Sequence, residues 1–303
     1  MSIKAYKGFN KDMTCRGFQY EEGKEYETDK AEVCETGFHA CEYPLDCFSY
    51  YSPNVSVYHE VEQDGEISRS DGDSKVASSK IKIGASINIA GIVKAAIEYT
   101  TKRTNKENDA TGDYGASSAT GYKGASSATG YCSVSSATGY KGASSATGDK
   151  GASSATGDYG ASSATGDYGA SSATGNYGAS SATGYKGASS ATGNYGASSA
   201  TGDYGASSAT GYCSVSSATG YCSVSSAECE NSIAVAWGYH GKTKGVIGSY
   251  LVLADWEGDE NNYWTPELWS LKGAKMVRVD GKKIKENTFY TMVNGEIEEV
   301  EDE

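Results

Sequence analysis

The sequence predicts a mainly β protein built around a two-sided β-solenoid, and three observations carry that expectation. A nine-residue unit, Ala-Thr-Gly-x-x-Gly-Ala-Ser-Ser, recurs thirteen times across residues 110–226 without an insertion or deletion. Such fidelity at a short period marks stacked structural units, because a flexible Gly/Ser linker has no reason to keep phase. Glycine recurs at positions three and six, where a chain bending twice per repeat needs permissive backbone. The flanks carry strand and turn patterns of their own, with Asp280-Gly281 and Asn294-Gly295 as hairpin signals.

Nine residues are too few to close a coil, so two repeats are expected to form each 18-residue coil. Thirteen repeats then give about six and a half coils, roughly 31 Å at a strand spacing of ~4.8 Å. Position seven is Ala in ten repeats and Val in three, at Val134, Val215 and Val224. The degenerate unit that follows has Ile233 at seven and Val235 at nine. Alternate residues of a strand share a face, so seven and nine are expected to point inward and eight outward. Such a core is thin, and the backbone ladder and neighbouring coils must supply much of the stability.

Positions four and five carry the variation and hold Tyr, Asp, Asn, Lys and Cys. Tyr159, Tyr177 and Tyr195 are 18 residues apart and so fall in one row on the turns. Amphipathic aromatics there either cover a small core or form a binding edge. These three are the candidate binding residues.

The expected organisation is an N-terminal β-rich (α+β) module over 1–85, with strands at 3–9 and 55–61 and Val55, Val57 and Val61 on one face. A capping helix and linker follow over 86–109, with Ile89, Ile92, Val93, Ala96 and Ile97 at helical spacing and Asn88 as N-cap. After the solenoid come degenerate capping coils at 227–256, whose larger residues close the core. A β-hairpin tail over 257–303 ends in a frayed acidic stretch, 298–303.

Charge narrows the partners. Residues 1–109 carry 14 basic and 19 acidic side chains, the repeat 4 and 5, and residues 227–303 carry 8 and 15. A nearly neutral solenoid lacks the basic stripe that phosphate backbones require, so no nucleic acid is expected. No secretory signal and no run of roughly 20 apolar residues is visible, and eight cysteines then read as reduced thiols in a cytoplasm.

Chemistry is sparse. Cys34, His39, Cys41 and Cys47 cluster within fourteen residues, with Cys15 upstream. Their spacings lack the close pairs that zinc sites use, so they are weak metal candidates and no metal is expected. Cys132, Cys213 and Cys222 fall on turns. Asp occupies position four in only five repeats, which disfavours calcium-binding nonapeptides. No His-Glu-x-x-His, phosphate loop or Gly-x-Ser-x-Gly is present, so no catalytic residue and no cofactor is assigned. Arg16-Gly-Phe together with Glu25-x-Glu27 is loosely similar to ADP-ribosyltransferases.

Taken together, Ile3-Lys-Ala-Tyr-Lys-Gly-Phe-Asn, Cys15-Arg-Gly-Phe-Gln-Tyr-Glu, Gly37-Phe-His-Ala-Cys with Pro44-Leu-Asp, and Val279-Asp-Gly through Asn287-Thr-Phe-Tyr resemble an uncharacterised family from phages and prophages. The resemblance implies an N-terminal module joined to nonapeptide repeats and a short β tail. Asn231-Ser-Ile-Ala-Val-Ala-Trp-Gly is similar to head repeats of trimeric autotransporter adhesins, without their longer period. The expected function is that of a non-enzymatic scaffold presenting a repetitive surface to a host or virion protein, in the host cytoplasm or the virion. No membrane is involved in that expectation. Two other classes stand beside it: an ice-binding solenoid, since Thr fills position two of every repeat, and an enzyme seated in the N-terminal module.

Overall fold

The computed structural model of the chain describes residues 2–70, 73–103, 111–258 and 268–301. Residues 104–109 of the expected linker and Ala110, the first of the repeat, lie outside the described residues. The chain divides into two compact units between Tyr99 and Thr100.

The first unit is antiparallel β. Its strands are β1 (Ile3–Asn10), β2 (Thr14–Cys15), β3 (Phe18–Gln19), β4 (Glu25–Glu27), β5 (Phe38–Cys41), β6 (Ser56–Arg69) and β7 (Lys75–Ile87), with a short helix α1 (Cys47–Tyr50) after β5. The main sheet runs β4-β7-β5-β1-β6, and β6 also pairs with β7, so four strands close on themselves. Closure leaves the two longest strands without a free edge. The bend it requires comes at register shifts near His59/Val61 and Asp64/Ile67. Phe9, Phe38, Val61, Val76, Ile81 and Ile83 fill the interior, with Val57 packed against them. Val55 precedes the strand.

Helix α2 (Ile89–Arg103) begins where the sequence places it, with the Asn88 side-chain oxygen accepting the N–H of Gly91 at 2.9 Å. Ile92, Val93 and Ala96 are buried. The Tyr99 ring lies 5.3 Å from that of Tyr43, so the helix contributes to the N-terminal unit.

In the second unit β8 (Ala116–Thr120) and β9 (Ala125–Thr129) begin a series of five-residue strands, one per nine residues, to β19 (Val215–Thr219). The series continues with β20 (Val224–Ala227), β21 (Ile233–Ala236), β22 (Lys242–Gly245) and β23 (Tyr250–Glu257). Even-numbered strands form one parallel sheet and odd-numbered strands the other, eight in each, so the solenoid has eight coils. The register repeats every 18 residues, as in Ala152↔Ala170 and Ala161↔Ala179, which bears out the two-repeat coil. Only the last coil shortens, with Tyr250 opposite Ile233.

The facing of the strands is the reverse of the expectation. Each strand runs from position seven to position two of the next unit, and its inward residues are the first Ser and the following Ala. Ser162 and Ala164 are buried, whereas Ala161 is exposed. Position seven is also buried on the other sheet, at Ala152, Ala170 and Ala188, so facing is read from the odd strands and from the serines themselves. The Ser162 hydroxyl donates to that of Ser153 at 3.0 Å and accepts from that of Ser171 at 2.9 Å. Bonds of this kind run from Ser225 back to Ser126, crossing between the sheets at every nine-residue step. Each hydroxyl is both donor and acceptor, so a buried polar file leaves no orphan within it. The larger residues that suggested the opposite facing stand on the side of the strand away from the serine file, where Val134 and Val224 are buried, Val215 is exposed, and Ile233 and Val235 are half-buried.

Gly at position three is dictated by the stacking. Gly175 has φ of +133°, and a Cβ there would lie 2.5 Å from the carbonyl carbon of Gly157 in the coil before. No other residue fits both the conformation and the approach.

At the C-terminal end alanine and larger residues replace serine. Ala234, Ala236, Leu251 and Leu253 pack with Val279, Tyr290 and Met292. Strand β24 (Ser270–Arg278) pairs antiparallel with β23, and β25 (Phe289–Val293) lies antiparallel to β22 and to β26 (Glu296–Val300). Asn294-Gly295 is the expected hairpin. Asp280-Gly281 is not, because β24 and β25 belong to opposite sheets. There the Asp280 carboxylate accepts the N–H groups of Lys282, Lys283 and Ile284 and shapes a crossing loop. The tail is more ordered than expected, since Glu298, Glu299 and Val300 are paired in β26.

Candidate functional site

Each coil makes two turns, and positions four and five of a repeat ride on one of them. The three tyrosines singled out by spacing do form a row. Tyr159 and Tyr177 have ring centroids 4.9 Å apart and planes 4° apart, and Tyr177 and Tyr195 are 5.0 Å and 8° apart. The row is twice as long as the spacing suggests. Tyr122 and Tyr140 stack at 5.2 Å, Tyr140 meets Tyr159 at 5.3 Å, and Tyr195 meets Tyr212 edge-on at 6.4 Å. Six rings therefore follow one side of the solenoid, with neighbouring centroids 4.9–6.4 Å apart.

The extra members were hidden because tyrosine changes position along the row. It sits at position four in Tyr122, Tyr140 and Tyr212, and at five in Tyr159, Tyr177 and Tyr195. The backbone changes with it. Tyr159, Tyr177 and Tyr195 adopt φ of 58–59°, a left-handed conformation that a side chain takes at a cost of roughly 1–2 kcal/mol. Position four beside them is Asp or Asn, whose side chain bonds onward. Asp158 Oδ1 accepts the N–H of Asn176 at 3.0 Å, Asn176 Oδ1 that of Asn194 at 3.2 Å, and Asn194 Oδ1 that of Tyr212 at 3.0 Å. At the change of position Lys141 Nζ lies 5.6 Å from the Tyr159 ring and 6.0 Å from that of Tyr140.

Tyr159, Tyr177 and Tyr195 are 46–49% exposed. Since their faces stack on one another, the row offers ring edges and hydroxyls to the outside. A second row, Tyr185, Tyr204, Tyr221 and Tyr239, occupies the other turn with centroids 5.4–6.1 Å apart and continues through Tyr239 to Trp269.

The cysteine–histidine cluster separates into two pairs. His39 Nε2 accepts the backbone N–H of Cys34 at 3.0 Å, so its lone pair is engaged by backbone and not by the thiol. Cys41 and Cys47 lie side by side; the hydrogen bond that the Cys41 thiol donates to Cys47, together with burial, raises Cys41 well above its ordinary range. Among the described residues no three His, Cys, Asp or Glu side chains are arranged to hold a metal ion. No disulfide joins any of the eight cysteines. Glu25 and Glu27 are engaged in surface ion pairs with Lys82 and Lys80 at 2.9 and 3.0 Å. Cys213 and Cys222 lie on the turns in left-handed conformation, and Cys132 is buried. Among the described residues no helix is long and apolar enough to cross a membrane.

Fold and surface thus define a β-solenoid protein with an exposed aromatic row and a small β-rich N-terminal unit. Residues 3–95, that N-terminal unit, match a family model described as Domain of unknown function (DUF7666). No curated protein and no solved structure matches the chain.

Proposed function

We propose that the chain is a non-enzymatic scaffold of phage or prophage origin, whose solenoid holds the tyrosine row against a protein of the host or the virion. The observation that carries this is the continuous six-ring row from Tyr122 to Tyr212, half-exposed, with neighbouring rings in contact from coil to coil. Tyrosine supplies large contact area at low conformational cost, and rigid presentation lowers the cost of binding further. A near-neutral solenoid favours a protein surface of low charge over a phosphate backbone. The phage origin rests on the resemblance of the N-terminal and tail motifs, and counteracting a host defence is one form such binding would take.

The test is a capture experiment from lysate of a bacterial host, comparing the native chain with the Tyr159→Ser, Tyr177→Ser, Tyr195→Ser variant. Stability should fall by a few kcal/mol at most, at about 0.5–1.5 kcal/mol per lost aromatic pair. The native chain should retain a protein that the variant loses while its circular dichroism stays unchanged. Identical proteins retained at equal strength by both would remove the row from the function.

A further inference from the structure

The N-terminal unit holds a cavity of about 430 Å³ lined by its own residues. Its size falls within the range of small-molecule pockets, roughly 300–1,000 Å³. Lys7, Arg16 and Lys75 line it, and among its described lining residues there is no carboxylate, although residues 1–109 carry more acidic than basic side chains. Phe18, Tyr20, Tyr50 and Tyr51 supply aromatic walls.

The first cation is held in place. Lys7 is 4% exposed; its Nζ donates to the His39 carbonyl at 2.7 Å, lies 3.4 Å from Cys15 Sγ, and sits 5.3–5.4 Å from the rings of Phe9 and Tyr20. A buried ammonium with no carboxylate partner is costly unless a counter-anion visits it. Lys75 Nζ stands 4.4 Å over the Tyr50 ring. The nearby Asp73 accepts the Tyr50 hydroxyl and, at 3.0 Å, the Lys75 backbone N–H, and its charge is also felt by Lys75. His39 has its pKa lowered by burial and then by Lys7 and Lys75, consistent with a positive interior.

The motifs shared with the resembled family build this cavity. In Lys-Gly-Phe, Lys7 enters it and Phe9 anchors the core, while Gly8 makes room for Tyr51, whose Cβ would lie 2.5 Å from any Cβ placed there. In Gly-Phe-His-Ala-Cys, Phe38 and Ala40 face the core.

We propose that this cavity binds a small aromatic anion of nucleotide size, with Lys7, Arg16 and Lys75 on a phosphate and the aromatic walls on a base. Guanidinium and ammonium donors recognise phosphate directly, and rings offer stacking to any base. The proposal is independent of the solenoid surface.

The experiment is calorimetric titration of the full chain with nucleoside 5′-monophosphates, with free nucleosides and inorganic phosphate as partial ligands. At least one nucleotide should bind saturably with a dissociation constant below about 1 mM. It should weaken at least about tenfold in Arg16→Asn and in Lys75→Gln. Asn suits the left-handed backbone at residue 16, where φ is 49°, so the first variant keeps the turn. Unchanged circular dichroism certifies both folds. Absence of saturable binding by every nucleotide overturns the proposal, as does equal affinity in native chain and variants. A nucleoside binding as tightly as its nucleotide removes the anion site, and phosphate alone binding as tightly removes the aromatic one.

Discussion

Deleting residues 143–151, one repeat, is expected to weaken partner binding about a hundredfold, whereas deleting 143–160, one whole coil, should weaken it only about tenfold. The 18-residue register makes successive repeats face opposite ways. A nine-residue deletion therefore turns everything downstream by half a coil. Tyr122 and Tyr140 would then stand on the opposite side from Tyr159, Tyr177, Tyr195 and Tyr212, splitting the row. Eighteen residues removed would bring Tyr140 above Tyr177 and keep the row continuous. Stability should follow the same order. The half-coil shift breaks the Tyr140–Tyr159 contact and exchanges the buried and exposed alanines of position seven, a loss of about 1–3 kcal/mol. For a chain of this size each kcal/mol lowers the melting point by roughly 2–4 °C. Equal melting points and equal binding in the two deletions would contradict the two-repeat coil.

Replacing Ser162 by Leu should cost far more than replacing its neighbour Ala161. Ser162 is buried within the hydroxyl file, bonded to Ser153 and Ser171. Leucine there overpacks a space built for serine, at about 1–3 kcal/mol. It also strands hydroxyls on both sides, adding a further ~1–3 kcal/mol. Ala161→Leu, on the exposed face of the odd-strand sheet, should change stability by no more than about 0.5 kcal/mol. Denaturant unfolding of the two variants measures the difference; comparable losses in both would mean that the serine file does not organise the core.

Much of the fold is legible because the repeat is regular. Period, coil length and the thinness of the core follow from the unit itself, and Asn88 and Asn294-Gly295 announce a helix start and a hairpin by side-chain chemistry. Facing is not legible in the repeat, because valine at position seven reads as a core residue. In an interior this narrow, hydroxyls that satisfy one another fill the space between the sheets, and the position-seven valines stand on the other side of the strand, buried at Val134 and Val224 and exposed at Val215. Asp280-Gly281 misled for a related reason, since a turn signal specifies a local bend and not the sheet to which the next strand belongs. The tyrosine row was half visible, at the members sharing one position of the repeat. The other half required knowing that a left-handed turn moves the ring from position four to five. The cavity gathers Lys7, Arg16 and Lys75 from three separated segments, and no local spacing encodes that.

The most direct test of the tyrosine row as a binding surface is the dissociation constant of the captured protein as the row is shortened coil by coil. Chains lacking residues 143–160 and 143–178 lose one and two coils and keep the same ends. If the row is the binding surface, affinity should fall stepwise, by roughly tenfold for each coil if each ring contributes about 1.4 kcal/mol. An affinity unchanged across the series, with all three chains folded, would place binding outside the row and leave the solenoid a spacer.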